Sequence, residues 1–361
     1  MTTHSIIKFL IIFNYFLLIC ISTNVQFYDR LSNDFTQLLE SGVNYDASIE
    51  VGEGDADAKI YKVHSNILQF RCPYFKKKFD EITFNANYVK IVNFPEDDHV
   101  KVLKLPTDHV KVLRLPNISV KVFDVIIKYI YGGKISLERL ENSVIFDLLI
   151  ASNELELDEV VEHLQYHLVN DNSLWLKSNV AQVYLTSYQV KNFKIIKEFC
   201  NDAIAKYPDT IFESENFNSF PENALISILK QDDLQIDESK IWEYVIEWGK
   251  AKNHNLPTNL DKWTSDNFLS LKETLKGCLP HIRYFSISGE DVVKKIYPYQ
   301  QLLEHQLFLD INIRLIASDL PISSLVLPPR KSTQEVTSWM MKKNHPILKI
   351  IQMNLNFLGW F

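Results

Sequence analysis

The sequence predicts an α+β domain with a small sheet flanked by helices, followed by an all-α helical domain. Residues 26–170 mix alternating, strand-like segments with helical ones, whereas residues 171–290 are helical in periodicity almost throughout. The chain has 361 residues, of which 46% are hydrophobic and 12% aromatic, which suits two folded domains and argues against disorder. An apolar N-terminal segment, residues 1–25, and a linker with a short tail, residues 291–361, complete the predicted organisation.

The composition argues against several classes of function. The net charge is −7 and no long run of Lys or Arg is present, so nucleic-acid binding is disfavoured. The sequence carries no hydrolase, kinase or phosphate-loop motif, and an enzyme is therefore not predicted. The four cysteines lie far apart, which suits neither a metal pair nor a disulfide framework and indicates a reducing compartment.

The N-terminus complicates the prediction of compartment. Phe9 to Ile21 is an apolar run shorter than the ~20 residues that a membrane-spanning helix needs. It resembles the core of a signal peptide. We expect a cytoplasmic protein, with a nuclear one as an alternative and a secretory signal over residues 1–22 as another. No membrane association is expected unless the apolar segment is retained.

The first predicted helix, Gln26–Glu40, has an apolar face and ends before Gly42. Little of the domain is predicted to cover this face, which we therefore interpret as a dimer interface. Its residues are Leu31, Phe35, Leu38 and Leu39.

A hairpin follows, with strands at Ser48–Val51 and Lys59–Val63. The loop over residues 52–57 lacks the terminal glutamate of a calcium-binding hand and the third glycine of a dinucleotide loop, so a solvated turn is favoured. Ser65 is a candidate N-cap for the next helix, and Pro73 suits the first turn of another. Tyr88–Phe94 reads as a further strand.

The only internal repeat lies within residues 98–117, where Asp98–Pro106 recurs as Asp108–Pro116. Two ten-residue copies are too few for a solenoid, so we predict a local duplication that forms an extra strand or an extended loop. Ser119–Tyr131 is apolar nearly all round and predicts a buried helix, with Asp124 and Lys128 paired on its exposed strip.

Helices are predicted near residues 142–153 and 158–169, and Pro221 and Asp237 mark further helix starts. Beyond Pro298 the pattern becomes less regular, and residues 327–330 have the composition of a linker. His163 and His167 stand at a spacing that can bind zinc, but no third ligand is apparent and no metal or cofactor is expected.

Four blocks of the first half resemble the BTB (POZ) family: Tyr45–Ile49, Tyr61–Leu68, Arg71–Phe75 and Phe123–Gly133. Two stretches of the second half, Leu234–Trp248 and Ile282–Tyr284, are similar to the BACK domain, which often follows BTB. The resemblance implies a kelch-like or TLDc-type adaptor that dimerises through BTB and bridges an unknown protein substrate to a cullin-RING ubiquitin ligase. Too few residues follow the linker for even one propeller blade of ~40–50 residues, so a member without the receptor domain is expected.

The resemblance also suggests positions for binding. Asp46 and His64 match polar positions near the BTB dimer groove, although a satisfied polar core pair is favoured over a binding role. The hydrophobic–any–glutamate element of many cullin binders is not cleanly present; Asp124 stands where it would be sought. The predicted cullin contacts are Tyr74, Phe75, Phe123, Asp124 and Tyr129.

Two alternatives to the ligase adaptor remain open. One is a self-associating scaffold without ligase activity. The other is a partner that occupies heterodimers with receptor-bearing relatives.

Overall fold

The computed structural model describes residues 27–52, 58–81 and 111–331. The apolar N-terminal segment, the predicted strand Tyr88–Phe94, the first copy of the repeat, residues 53–57 of the hairpin loop and residues 332–361 lie outside the described residues. The chain divides into two compact units, of which the first comprises the residues up to 140 with 154–157 and the second comprises 141–153 and the residues from 158 onward.

The first unit is built on a three-stranded sheet in the order β2-β1-β3. Strands β1 and β2 are antiparallel, with Ala47 opposite Val63, and β1 and β3 are parallel, with Ala47 opposite Lys111. The elements in chain order are α1 (Tyr28–Ser41), β1 (Ala47–Val51), β2 (Lys59–Val63), α2 (Ser65–Arg71), α3 (Pro73–Asp80), β3 (Lys111–Leu115) and α4 (Val120–Gly132). The second copy of the repeat therefore forms β3. A strand was one of the two predicted outcomes for the repeat, the other being an extended loop.

Helix α4 is the buried helix that the sequence predicts. The Ser119 hydroxyl accepts the Val122 N–H at its start, and Gly133 ends it in the left-handed conformation at φ 68°. The Phe123 side chain is fully buried, and its ring contacts the edge of Tyr61 at a centroid distance of 4.9 Å. Because the apolar surface of α4 extends nearly around the helix, α4 is buried on several sides.

The predicted pairing of Asp124 with Lys128 is corrected by the structure. The Asp124 carboxylate instead accepts hydrogen bonds from Lys59 Nζ and the Tyr61 hydroxyl, each at 2.7 Å. Helical spacing alone suggests the i,i+4 partner, but the sheet brings Lys59 to the same carboxylate. Lys59 is therefore the hydrogen-bonded cation of Asp124, while the charge of Lys128 also helps to lower the pKa of this carboxylate, after the hydrogen bonds from Lys59 and Tyr61.

Among its described residues the second unit contains helices and no strand, which agrees with the predicted helical domain. Its α-helices are α5 (Asn142–Glu154, whose last residue belongs to the first unit), α6 (Asp158–Asp171), α7 (Ser173–Ser178), α8 (Val180–Gln189), α9 (Lys194–Lys206), α10 (Asp209–Phe212), α11 (Glu222–Leu229), α12 (Glu238–Lys252), α13 (Ser265–Leu275), α14 (Gly289–Asp291) and α15 (His305–Ile316).

Short helical segments link several of these helices: 3₁₀ turns at Phe217–Ser219, Leu260–Lys262, Leu279–His281, Tyr284–Ser286 and Tyr297–Leu302, and a π-helical segment at Val292–Ile296.

The packing of α12 on α13 depends on a glycine. A Cβ atom at Gly249 would lie 2.7 Å from side-chain carbons of Leu271 and Leu275. No side chain fits in that space without displacing its neighbours. The close approach explains why glycine occupies the middle of a helix despite its low helix propensity.

The chain beyond Pro298 is more regular than the sequence suggests. Helix α15 forms there, with Ile311 buried and Phe308 in edge contact with Tyr297 at 5.1 Å. The buried Asp310 carboxylate accepts the backbone N–H groups of Ser323 and Ser324 at 3.0 and 2.7 Å. Tertiary contacts thus order a region whose local pattern is weak.

Candidate interaction surfaces

Helix α1 buries none of its apolar side chains fully within the first unit. Ser32 is its one buried residue, while Leu31 is 53% exposed. Three further apolar residues, which the sequence also assigned to the dimer interface, are only half-buried: Phe35, Leu38 and Leu39. Burying the apolar area that these side chains still expose would contribute roughly 25 cal/mol per Å², so this face favours a partner.

The reason for this exposure lies in how α1 packs on α4. A Cβ at Gly132 would lie 2.9 Å from Thr36 Oγ1 and 3.1 Å from Ser32 Oγ. The small, polar side of α1 therefore faces the end of α4, because only that side can approach the glycine closely. The Leu31 side chain lies on another side of α1 and stays 53% exposed.

Helix α2 also packs on the end of α4 and adds a large exposed side chain. Phe70 is 90% exposed. Its neighbour Arg71 donates through Nε to the Ile130 carbonyl at 3.3 Å, which orients α2 against α4. Sequence reasoning missed Phe70 as an interaction residue. Phe70 directly precedes Arg71, the basic residue in the last turn of α2, and this polar neighbour was the available signal for an exposed position.

Asp46 and His64 each have satisfied hydrogen bonds, but not to one another. The Asp46 carboxylate accepts the backbone N–H of Ser65 at 2.6 Å and also its hydroxyl. Asp46, which directly precedes β1, thus supplies a hydrogen-bond acceptor for a backbone N–H in the first turn of α2. Ser65 was predicted to be the N-cap of α2, but it is the first residue of the helix. The N-cap position is occupied by His64.

The His64 ring lies between two partners. Its Nε2 is 2.8 Å from the Val43 carbonyl and its Nδ1 is 2.9 Å from the Tyr131 hydroxyl. Since a carbonyl only accepts, Nε2 donates to Val43, and the backbone N–H of His64 donates to the Tyr131 hydroxyl at 2.8 Å. Burial raises the pKa of Tyr131 to about 12, which keeps this hydroxyl protonated as a donor. These contacts describe a structural role for both Asp46 and His64.

The predicted cullin contacts fall into two groups. Phe75 and Phe123 have no exposed surface and Tyr129 is 8% exposed, so these three side chains belong to the core and offer little area to a partner. Asp124 is engaged by Lys59 and Tyr61. Tyr74 is half-buried and borders the Phe75 ring, so it is the aromatic member of the set with accessible surface.

The described residues present no grouping suited to covalent or metal chemistry. Cys72, Cys200 and Cys278 are buried and unpaired, and burial raises the pKa of Cys72 to about 11 and of Cys278 to about 12, far from a reactive thiolate. In the described ranges no three His, Cys, Asp or Glu side chains are grouped to hold a metal. His167 pairs with Asp171 at 2.8 Å, while His163 is exposed.

Over the same residues, no helix combines the length and apolar character needed to cross a bilayer.

Comparison with known proteins assigns the two halves to two families. The BTB/POZ domain model matches residues 35–172, and the model described as BTB And C-terminal Kelch, or BACK, matches residues 180–263. Together these matches span more than half of the chain. It belongs to the BTB–BACK proteins, whose two named domains mediate protein interaction.

Solved structures similar to the chain include two BTB domains. The BTB domain of zebrafish PATZ1 is 19% identical, with 40% of this chain and 95% of that chain covered and a TM-score of 0.27. The BTB domain of human Gigaxonin is 22% identical, with 40% of this chain and 94% of that chain covered and a TM-score of 0.26. A search of curated proteins finds no match. The assignment therefore rests on the two family models.

Proposed function

We propose that this BTB–BACK protein is an adaptor that forms dimers through α1 and presents a bound protein to a cullin scaffold. The observation that carries the dimer is the face of α1, where Leu31 is exposed and Phe35, Leu38 and Leu39 are only half-buried, while Ser32 and Thr36 approach α4. A second copy would cover the same residues on both chains, as a two-fold interface requires.

The cullin step is supported by the order of the BTB and BACK domains and by the surface around α2 and α3. Phe70 is exposed and Tyr74 half-buried there, and Lys76 and Lys77 lie on the exposed side of α3. Tyrosine is frequent among the residues that dominate binding energy at protein interfaces. Tyr74 is therefore the residue of the predicted set on which we place this contact.

Dimerisation is tested on the full chain by light scattering at micromolar concentration. The wild-type chain is expected to have twice the mass of one chain. Leu31→Asp combined with Phe35→Asp is expected to give single chains, because burying an unpaired carboxylate at the interface is costly. Gln37→Asp is the matched control, since helical spacing places Gln37 on the opposite side of α1. A wild-type chain that is monomeric would retire the dimer.

Cullin docking is tested by calorimetry of the full chain against a cullin N-terminal domain. We expect binding by the wild-type chain and a loss of about tenfold, or ~1.4 kcal/mol, in Tyr74→Ala. Tyr207→Ala removes a 60% exposed tyrosine of the second unit and is expected to bind normally. If the wild-type chain dimerises but binds no cullin, the self-associating scaffold replaces the ligase adaptor.

A further inference from the structure

The segment with the composition of a linker is docked on the second unit through a buried arginine. The Arg330 side chain is 6% exposed and the Glu238 side chain 4% exposed. Arg330 Nε donates to Glu238 Oε2 at 2.9 Å, and Nη2 donates to Oε1 at 3.2 Å. Its Nη1 donates to the carbonyls of Leu229 and Gln231. The end of α11, the following loop and the first residue of α12 thus satisfy all three guanidinium nitrogens.

A second buried arginine holds the same segment from the other side. Arg283 donates through Nη1 to the Pro328 carbonyl at 2.7 Å and pairs through Nη2 with Asp232 at 2.6 Å. Its backbone N–H donates to Glu238 at 2.8 Å. Two arginines and two carboxylates therefore form one charge-balanced cluster, which offsets the desolvation of Arg330.

The backbone of the segment is also paired. The Lys331 N–H donates to the Asp232 carbonyl at 2.7 Å, and the Gln235 side-chain amide donates to the Lys331 carbonyl at 2.9 Å. Pro328 and Pro329 restrict the backbone before docking, which reduces the entropy lost when the segment binds. A freely solvated linker would have neither a buried charge nor these backbone hydrogen bonds.

We propose that the second unit contains a docking site for an extended Pro-Pro-Arg segment and that the chain's own residues 328–331 occupy it. Glu238 is the specificity-determining acid, because it receives both the Arg330 fork and the Arg283 backbone. The site holds residues 328–331 against the second unit through both backbone and side-chain contacts. This inference goes beyond the proposed adaptor function and does not depend on it.

Limited trypsin digestion of the full chain tests the site, because trypsin must take the Arg330 side chain into its own pocket before it can cleave. Cleavage after Arg330 is expected to be slow in the wild-type chain and at least tenfold faster in Glu238→Gln. Mass spectrometry identifies the cut, and cleavage after Arg314 in α15 serves as an internal measure of general loosening. Glu243→Gln, on the exposed side of the same helix, is expected to leave both rates unchanged.

Three results would overturn the assignment. The first is equal cleavage after Arg330 in the wild-type chain and Glu238→Gln. The second is a rise after Arg314 as large as the rise after Arg330, which would mean that the variant loosens the unit as a whole and not the segment in particular. The third is protection that disappears on dilution, since the occupant would then come from a second copy rather than from the same chain.

Discussion

Replacing Trp242 by alanine is expected to lower the free energy of unfolding of the second unit by ~3–5 kcal/mol. The Trp242 side chain is 1% exposed and contacts the edges of Tyr284 and Tyr299 at centroid distances of 5.9 and 6.4 Å. Its Nε1–H donates to the Lys295 carbonyl at 3.0 Å. Alanine would leave a large cavity and a carbonyl without its donor.

Denaturant titration followed by tryptophan fluorescence measures this loss, because every tryptophan of the chain lies at position 175 or later. The signal therefore follows the second half and avoids treating two units as one transition. Trp242→Phe keeps most of the ring volume and loses the N–H, so a smaller loss of ~1–3 kcal/mol is expected. An alanine variant within ~1 kcal/mol of the wild type would contradict this assignment of the core.

The second large effect concerns the buried pair between Glu238 and Arg330. Either Glu238→Ala or Arg330→Ala is expected to destabilise the second unit by ~3–5 kcal/mol, because each leaves a buried charge without its partner. The double variant is expected to lose no more than the worse single variant, since it removes both charges together. The same fluorescence titration measures all three variants.

Non-additivity distinguishes this cluster from two independent contacts. Lys294→Ala with Glu290→Ala is the control, because that pair is exposed on the surface and each change is expected to cost under ~1 kcal/mol. Losses at Glu238 and Arg330 that simply add would show that the two side chains do not act as a pair.

Much of the local structure follows from local signals. The apolar periodicity of α1 and α4, the left-handed glycines Gly42 and Gly133 that end them, and Pro73 at the start of α3 all act over a few residues. Such signals involve neighbours up to about four positions apart, so one sequence contains them completely. The sequence alone therefore predicted the family and the division into an α+β half and a helical half.

The candidate site was accessible only in part. The apolar face of α1 was predicted from its spacing, and the structure shows why it is exposed, through the contact of Ser32 and Thr36 with Gly132. Phe75 and Phe123 were chosen as contacts because large aromatic residues are common at interfaces, yet the same property also favours the core. Periodicity cannot distinguish these outcomes on a helix that is apolar nearly all round.

The sequence by itself determined the class of protein, the order of the two domains and, to within a few residues, the ends of several helices before residue 171. Only the tertiary structure decided the partners of polar groups: Asp124 with Lys59, Asp46 with Ser65, and Arg330 with Glu238. These partners are between 19 and 92 positions apart. The physical reason is that an ion pair or tertiary cap depends on distance in space, which the chain reaches only after its strands and helices have packed.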